Sequence, residues 1–171
     1  MAEYLLRMRF EAAGVDARVA SAGLLQAGLP AQAHGVEVGR GLGLDMSTHL
    51  SRSMTPDVLS AADLIVGMAR EHVREAVVLD PSLWPRTFTL KELVRRGEAT
   101  GPRQAGEPLA DWLVRAGEGR RVSDLTGSSS ADDVEDPIGM PRSAYERMAR
   151  ELDDLTGRLV AVAFAGALTP R

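Results

Sequence analysis

A mainly apolar run, ADLIVGM at residues 62–68, constrains the fold more than any other segment of the chain. A run of this length and composition, bounded by charge, is typical of a central parallel strand that is buried on both faces. The next segment, REHVREAVVLD at residues 70–80, has the apolar spacing of a helix. A strand followed directly by a helix is the unit from which parallel sheets are built, so the sequence predicts an α/β protein.

The remaining segments extend the same alternation of strand and helix. Further strands are predicted at residues 17–23 (ARVASAG) and 86–90 (RTFTL). Helices are predicted at residues 1–13, 33–44, 56–59, 91–97 (with a stop at Gly97), 108–121 and from Pro141 onward. Residues 98–107 and 124–139 are predicted to be irregular. Three strands make a thin sheet for a chain of this length, so we expect a strand of the fold to be absent.

Composition limits the classes of function. The 171 residues fit one domain, residues 1–171, with a formal net charge of −4 that argues against nucleic acid and anionic membranes as partners. The longest apolar stretch, residues 159–168, is too short to span a bilayer, and no signal-peptide pattern precedes the fold. These features predict a cytoplasmic protein. The chain contains no cysteine, which excludes disulfides, thiolate metal sites and a thiol nucleophile among its own residues.

One carboxylate stands out as a candidate proton donor. In the segment EDPIG, Asp136 precedes Pro137, so its backbone is biased towards an extended conformation on a loop. A loop carboxyl at the mouth of a cleft can serve as a general acid. Asp-Pro-x-Gly is also an ordinary turn sequence, and in isolation the turn interpretation is the stronger one.

Histidine and serine residues offer weaker candidates for a site. His34, His49 and His72 lie on separate segments without the spacing of metal ligands, so we predict no metal site. Taken alone, His49 is more often a hydrogen-bonded structural residue than a catalyst. Ser21 is a possible nucleophile only with a nearby base, and no nucleophile-elbow sequence surrounds it.

Basic and aromatic residues in the middle of the chain have structural interpretations. A solvated basic face is predicted for Arg95, Arg96, Arg120 and Arg121, with an acidic partner or a phosphate as the minority interpretation. Trp84 and Trp112 are predicted to be packing residues.

Five stretches together resemble the low-molecular-weight protein tyrosine phosphatase family, of the bacterial type. MAEYLLR is similar to the helix that follows the family's phosphate loop, VASAG to its second strand and LDMSTHLSR to its Ser/His/Arg turn. ADLIVGMAREH resembles its third strand and the helix after it, and DVEDPIG its general-acid loop. The five occur in the family's order over nearly the whole chain. The resemblance implies a three-layer α/β/α fold with a parallel sheet in the order 2-1-3-4.

The resemblance also implies a reaction, the hydrolysis of phosphotyrosine or related phosphomonoesters through a cysteinyl-phosphate, without a cofactor. In the family, a Cys-x5-Arg-Ser/Thr loop before the first helix holds the phosphate and supplies the thiolate. Carried over to this chain, Asp136 is the general acid and base, Pro137 fixes its loop, and Ser21 and His49 brace the phosphate loop. Ile138 stands where eukaryotic members carry aromatic residues. The implied partner is a phosphorylated protein or a small phosphomonoester.

The chain departs from the family at its start, because it begins after the phosphate loop and has no cysteine. We therefore expect an N-terminally truncated domain that lacks the first strand, is inactive as written, and belongs to a polypeptide that starts upstream of Met1. A second hypothesis is a catalytically dead relative that acts as a binding or scaffold protein. A third is an arsenate reductase of the same fold, which would need cysteines that the chain lacks.

Overall fold

The structure is a computed structural model, and it describes residues 1–164. The helices of this range are α1 (Ala2–Ala12), α2 (Ala33–Gly41), α3 (Pro56–Ser60), α4 (Arg70–Leu79), α5 (Leu90–Thr100), α6 (Leu109–Ala116) and α7 (Arg142–Ala163). The strands are β1 (Ile65–Gly67) and β2 (Thr87–Thr89). Short 3-10 helices cover Pro81–Arg86 and Val122–Leu125. No helix within residues 1–164 is both long and apolar enough to cross a membrane.

The two strands form a parallel pair, as the apolar run predicts. Ile65 lies opposite Thr87 and Gly67 lies opposite Thr89, with α4 as the connection between the strands. The strand at residues 62–68 is therefore confirmed over three residues, and the strand at 86–90 over three. This arrangement confirms the α/β class and the parallel direction of the sheet.

The strand predicted at residues 17–23 is wrong. Within the described range, this segment reaches a partner only at Gly23, which forms a single parallel bridge with Ser53. A strand exists only where a neighbour accepts and donates its backbone hydrogen bonds. Here the carbonyl of Val19 accepts instead from the guanidinium of Arg7, through Nε at 3.0 Å and Nη2 at 2.8 Å. Apart from the bridge at Gly23 the segment forms no ladder, and the described sheet has two strands.

The long final helix organises the core. α7 packs against α1, α2 and α5, and Tyr145, Leu152, Leu155 and Leu159 form its buried stripe. The main hydrophobic cluster joins the three leucines to Leu5, Phe88, Leu90, Leu93, Trp112 and Leu113. The opening helix also matches its prediction, since α1 runs from Ala2 to Ala12 and Gly14 follows it with a φ of 63°.

Gly97 does not end α5, which corrects the stop predicted there. The helix continues to Thr100, and Gly101, with a φ of 91°, follows it. A Cβ atom built on Gly97 would lie 2.9 Å from Cζ2 of Trp112 and 3.0 Å from Cγ2 of Val162. Gly97 is therefore a packing position that lets α6 and α7 approach α5, rather than a helix terminator.

We expect Gly97→Ala to lower the free energy of unfolding by about 1 kcal/mol, because overpacking of about 1–3 kcal/mol exceeds the helix propensity gained, about 1 kcal/mol. Gly157→Ala is the matched control inside α7. Its new Cβ would meet the guanidinium of Arg9 at 3.3 Å, which is bonded to Asp153 and Thr156 and needs to shift by only a few tenths of an ångström, so this variant should lose less stability than Gly97→Ala. Urea unfolding followed by circular dichroism measures both. A Gly97→Ala protein at least as stable as Gly157→Ala would contradict the packing role.

Candidate active site

An acidic segment, residues 129–136, lies at the carboxyl end of β1. The backbone N–H of Val134 donates to the carbonyl of Met68 at 2.8 Å, directly after the strand. The backbone N–H of Arg70, at the first turn of α4, donates to Oδ1 of Asp133 at 2.8 Å. Ligands in open parallel α/β folds bind at the carboxyl ends of the strands. The structure thus brings this segment to the edge of the sheet where a site is expected.

Asp132 ties the acidic segment to two helices. Its Oδ2 accepts from Nε of Arg70 of α4 at 2.8 Å and lies 2.7 Å from Nη2 of the same guanidinium, and its Oδ1 accepts from Nη2 of Arg95 of α5 at 2.8 Å. Burial raises the pKa of the Asp132 carboxyl, but the hydrogen bonds and charges of Arg95 and Arg70 outweigh it, so the pKa lies below its ordinary value. The carboxylate therefore stabilises the fold above the ordinary pKa of aspartate, and this contribution is lost as the pH falls through the lowered pKa. Arg70, Arg95, Asp132 and Asp133 are called the acid-loop clamp below.

The clamp was not foreseen from the sequence. Arg70 and Asp132 are 62 residues apart, and Arg95 and Asp132 are 37 apart. The only related signal in the sequence is the acidic composition of the irregular segment 124–139. A run of carboxylates gives no indication of which of its members are buried.

The carboxylate of Asp136 is differently placed from its acidic neighbours. Glu135 forms an ion pair with Arg147 at 3.3 Å, whereas Asp136 is exposed and has no ion pair among the described residues. Its Oδ1 accepts from the backbone N–H of Ile138 at 3.0 Å. Pro137 is buried, and its carbonyl accepts from the N–H of Met140 at 2.9 Å, which closes a tight turn before α7. The loop is held in place while the carboxylate itself stays accessible to solvent.

Ser21 and His49 both lie beside the first turn of α1. The Ser21 hydroxyl donates to the carboxylate of Glu3, which also pairs with Arg7. Nδ1 of His49 lies 3.4 Å from the Tyr4 hydroxyl, and the two rings meet edge to face with centroids 5.7 Å apart. The first turn of a helix carries unpaired N–H groups and the positive end of the dipole, which is a favourable environment for an anion.

The starts of α1 and α7 lie at the same end of the molecule. The side chain of Met1 packs against a cluster of Val38, Tyr145 and Ala149, and Tyr145 belongs to the first turn of α7. Asp136 lies just before α7 in the chain, separated from it by the turn described above. Among the described residues, no hydrogen bond joins Asp136 to Ser21 or His49, so the structure gathers these residues at one end without a direct contact.

The prediction of a solvated basic face holds for Arg95 and Arg121, whose side chains are 54% and 79% exposed, and it is wrong for Arg96 and Arg120, whose side chains are 27% and 2% exposed. Arg96 and Arg120 both bind Oε1 of Glu92, at 3.0 and 2.8 Å, and Arg121 lies 3.5 Å from Asp124. The Arg120 guanidinium is buried between the rings of Trp84 and Phe88, 3.8 Å from each centroid. Burial lowers the pKa of Arg120, and its bonds to Glu92 oppose that shift. This cluster is a structural element that anchors residues 117–121 to β2 and α5.

Comparison with known proteins agrees with this fold. The sequence model of the family described as low molecular weight phosphotyrosine protein phosphatase matches residues 1–102. A low molecular weight protein tyrosine phosphatase from T. tengcongensis is 30% identical with a TM-score of 0.68, over 93% of this chain and 86% of that one. No curated protein sequence matches the chain significantly.

Two further solved structures share the fold at lower identity. The tyrosine phosphatase AmsI of Erwinia amylovora is 18% identical with a TM-score of 0.68, over 95% of this chain and 83% of that one. A YwlE mutant from Bacillus subtilis is 24% identical with a TM-score of 0.67, over 92% and 84%. The parallel α/β fold and these matches define a phosphatase-type domain. The chain belongs to the low molecular weight phosphotyrosine protein phosphatase family.

Proposed function

We propose that Asp136 is the proton donor of a phosphomonoester hydrolase that works by the family's cysteinyl-phosphate route. The observation that supports this role is an exposed carboxylate without an ion pair among the described residues, directly before the buried Pro137, on a loop anchored at the carboxyl end of β1. Asp132 and Asp133 are bonded to α4 and α5, and the exposed Glu135 pairs with Arg147, so Asp136 is the acid of residues 132–136 that has no charged partner among the described residues.

The proposed chemistry has two proton transfers. When a thiolate attacks phosphorus, the bond to the leaving oxygen breaks and Asp136 gives that oxygen its proton. Asp136 then takes a proton from the water that attacks the cysteinyl-phosphate, and cleavage of the S–P bond releases inorganic phosphate and restores the thiolate. The substrates would be phosphotyrosine in proteins or small phosphomonoesters, acted on in the cytoplasm and without a cofactor. Ile138, which is 56% exposed beside Asp136, would offer them an apolar contact.

Ser21 and His49 would support the phosphate loop rather than touch phosphorus. Both are tied to the first turn of α1, through Glu3 and Tyr4, and this turn follows the phosphate loop in the family. Side chains held in this way can orient the backbone N–H groups of an adjoining loop towards an anion.

The 171-residue chain by itself is expected to give no turnover of p-nitrophenyl phosphate, because none of its residues is cysteine and a general acid only assists a reaction that a nucleophile begins. Release of p-nitrophenolate by the purified chain, compared with buffer and with Asp136→Ala, measures this. Turnover that Asp136→Ala abolishes would overturn the proposal that the chain needs a thiolate from outside these residues.

The absence of cysteine also favours a second candidate, a catalytically dead relative that acts as a binding or scaffold protein. Such a protein would need neither Asp136 nor a phosphate loop. The coding DNA immediately upstream of Met1 separates the two. In-frame codons for a Cys-x5-Arg-Ser stretch would decide for the enzyme and for an N-terminally truncated domain, and a stop codon would decide for the scaffold.

A further inference from the structure

We propose that Asp132 is a positioning residue, which holds the loop of Asp136 in place by joining Arg70 of α4 to Arg95 of α5. The inference rests on the proposed function in one respect, the role of Asp136 as proton donor. The placement of the loop itself can be tested without any turnover.

The acid-loop clamp fixes the chain at several points just before Asp136. Asp132 accepts two hydrogen bonds from two guanidinium groups, both at 2.8 Å, and its Oδ2 also lies 2.7 Å from Nη2 of Arg70. Asp133 accepts from the N–H of Arg70 through Oδ1 and from the N–H of Ser129 through Oδ2, both at 2.8 Å. Val134 then donates to Met68 at the end of β1. The last of these attachments lies two residues before Asp136.

The two arginines also hold the entry to the loop. Nη1 of Arg70 donates to the carbonyl of Thr126 at 3.3 Å, and Nη1 of Arg95 donates to the carbonyl of Ala131 at 3.0 Å. Each guanidinium therefore joins the Asp132 carboxylate to a backbone carbonyl of the same irregular segment. Loss of the carboxylate would remove the contact that these two helices have in common.

A buried charge adds to apolar packing in setting the position of this loop. Between residues 126 and 139 the buried residues are Asp132, Val134 and Pro137, and Val134 packs in the main hydrophobic cluster. Asp132 is only 8% exposed and has both oxygens bonded to guanidinium groups. Hydrogen bonds between ionised partners are about twice as strong as neutral ones, and a buried ion left without its partner is costly.

Accurate placement matters for a proton donor, because a catalytic group must stay within about 0.5 Å of its productive position. A misplacement of about 1 Å can cost about 10²-fold in rate. Asp136 has no ion pair of its own among the described residues, so its location is inherited from the loop. Asp132 is the buried charge of that loop. A shift of Asp132 would therefore move the carboxylate of Asp136 as well.

The test is amide hydrogen exchange by NMR on the 171-residue chain. Asp132→Asn keeps the shape of the side chain and removes its charge. We expect the N–H groups of Val134 and Ile138 to exchange about 10-fold faster or more, while those of α5 and α7 keep their rates, since local opening is independent of global unfolding. Arg95→Gln should give the same pattern more weakly. Arg95→Gln serves as the second variant if Asp132→Asn does not fold, because the Arg95 side chain is 54% exposed and its replacement should not unfold the domain.

A titration distinguishes positioning from general stability. The N–H of Ile138 donates to Oδ1 of Asp136, so its proton chemical shift should follow the protonation of that carboxylate. In Asp132→Asn the amplitude of this titration should fall. Asp154→Asn, which removes an exposed ion pair with Arg158 in α7, should leave both the exchange and the titration unchanged.

Exchange that rises uniformly over the chain, or that does not change at Val134 and Ile138 in either variant, would overturn the inference. Neither measurement needs a nucleophile. The two proposals can fail separately. If Asp132→Asn loosens the loop but Asp136→Asn keeps the full rate of phenyl phosphate hydrolysis, the positioning role of Asp132 is supported and only the proton-donor role of Asp136 is contradicted.

Discussion

Asp136→Asn is expected to lower kcat for phenyl phosphate by about 10²–10⁴-fold in a polypeptide that supplies a strand and a Cys-x5-Arg-Ser loop ahead of Met1. The physical reason is the basicity of the leaving phenolate, whose conjugate acid has a pKa of about 10, as for a tyrosine side chain. Such a group leaves slowly unless it receives a proton as the bond to phosphorus breaks. Asp136 is the exposed carboxylate of the loop that has no ion pair among the described residues, and it is the proposed source of this proton.

Steady-state kinetics with two leaving groups make this test specific. The p-nitrophenolate ion is much less basic than phenolate, so Asp136→Asn should lower kcat for p-nitrophenyl phosphate by a smaller factor. Asp154→Asn, an exposed aspartate of α7, should change neither rate. The same parent polypeptide with its nucleophile replaced by serine gives the background. Retention of the full phenyl phosphate rate in Asp136→Asn would assign the proton transfer to another residue.

Trp112→Ala is expected to lower the free energy of unfolding by about 3–5 kcal/mol, a large part of the roughly 5–15 kcal/mol that stabilises a domain. The Trp112 side chain is completely buried, and its indole N–H donates to the carbonyl of Gly101 at 3.0 Å. It fills the space that Gly97 leaves open in α5. Removing the indole would create a cavity between α5 and α6 and leave the Gly101 carbonyl without this donor.

Urea unfolding followed by far-ultraviolet circular dichroism measures this loss. Val114→Ala is the matched control on the same helix, since Val114 is 64% exposed and a surface change of this kind costs within about 0.5 kcal/mol. Trp112→Phe keeps most of the volume and removes the N–H, so it should fall between the two. A Trp112→Ala protein as stable as Val114→Ala would show that the α5–α6 contact does not stabilise the domain.

Local patterns predicted most of the elements correctly. The apolar run at residues 62–68 contains β1, and the helical spacing of the following segment gives α4, because burial on both faces or on one stripe leaves a signal in adjacent residues. The stripe of α7 is buried for the same reason. The strand at residues 17–23 failed because a strand also needs a neighbour, and hydrogen bonding to Arg7 replaces one here.

The candidate site was predictable in part. Asp136, Ser21 and His49 were selected from a family resemblance, and the structure gathers them at one end of the fold, although their roles stay proposals. The function of Asp132 in the clamp could not be predicted, since its partners Arg70 and Arg95 come from helices far away in the chain. The same holds for Arg120, whose burial between two aromatic rings contradicts its prediction as a solvated residue.

The sequence by itself determined the α/β class, the parallel direction of the strands and the absence of any thiol among these residues. Each of these is a property of composition or of short-range periodicity. Only the tertiary structure decided that Asp132 is buried in ion pairs, that Asp136 stays exposed, and that Gly97 is a contact rather than an end. These features depend on groups that chain folding brings together from distant positions, and the free energy of an ion pair or a close contact depends on that geometry.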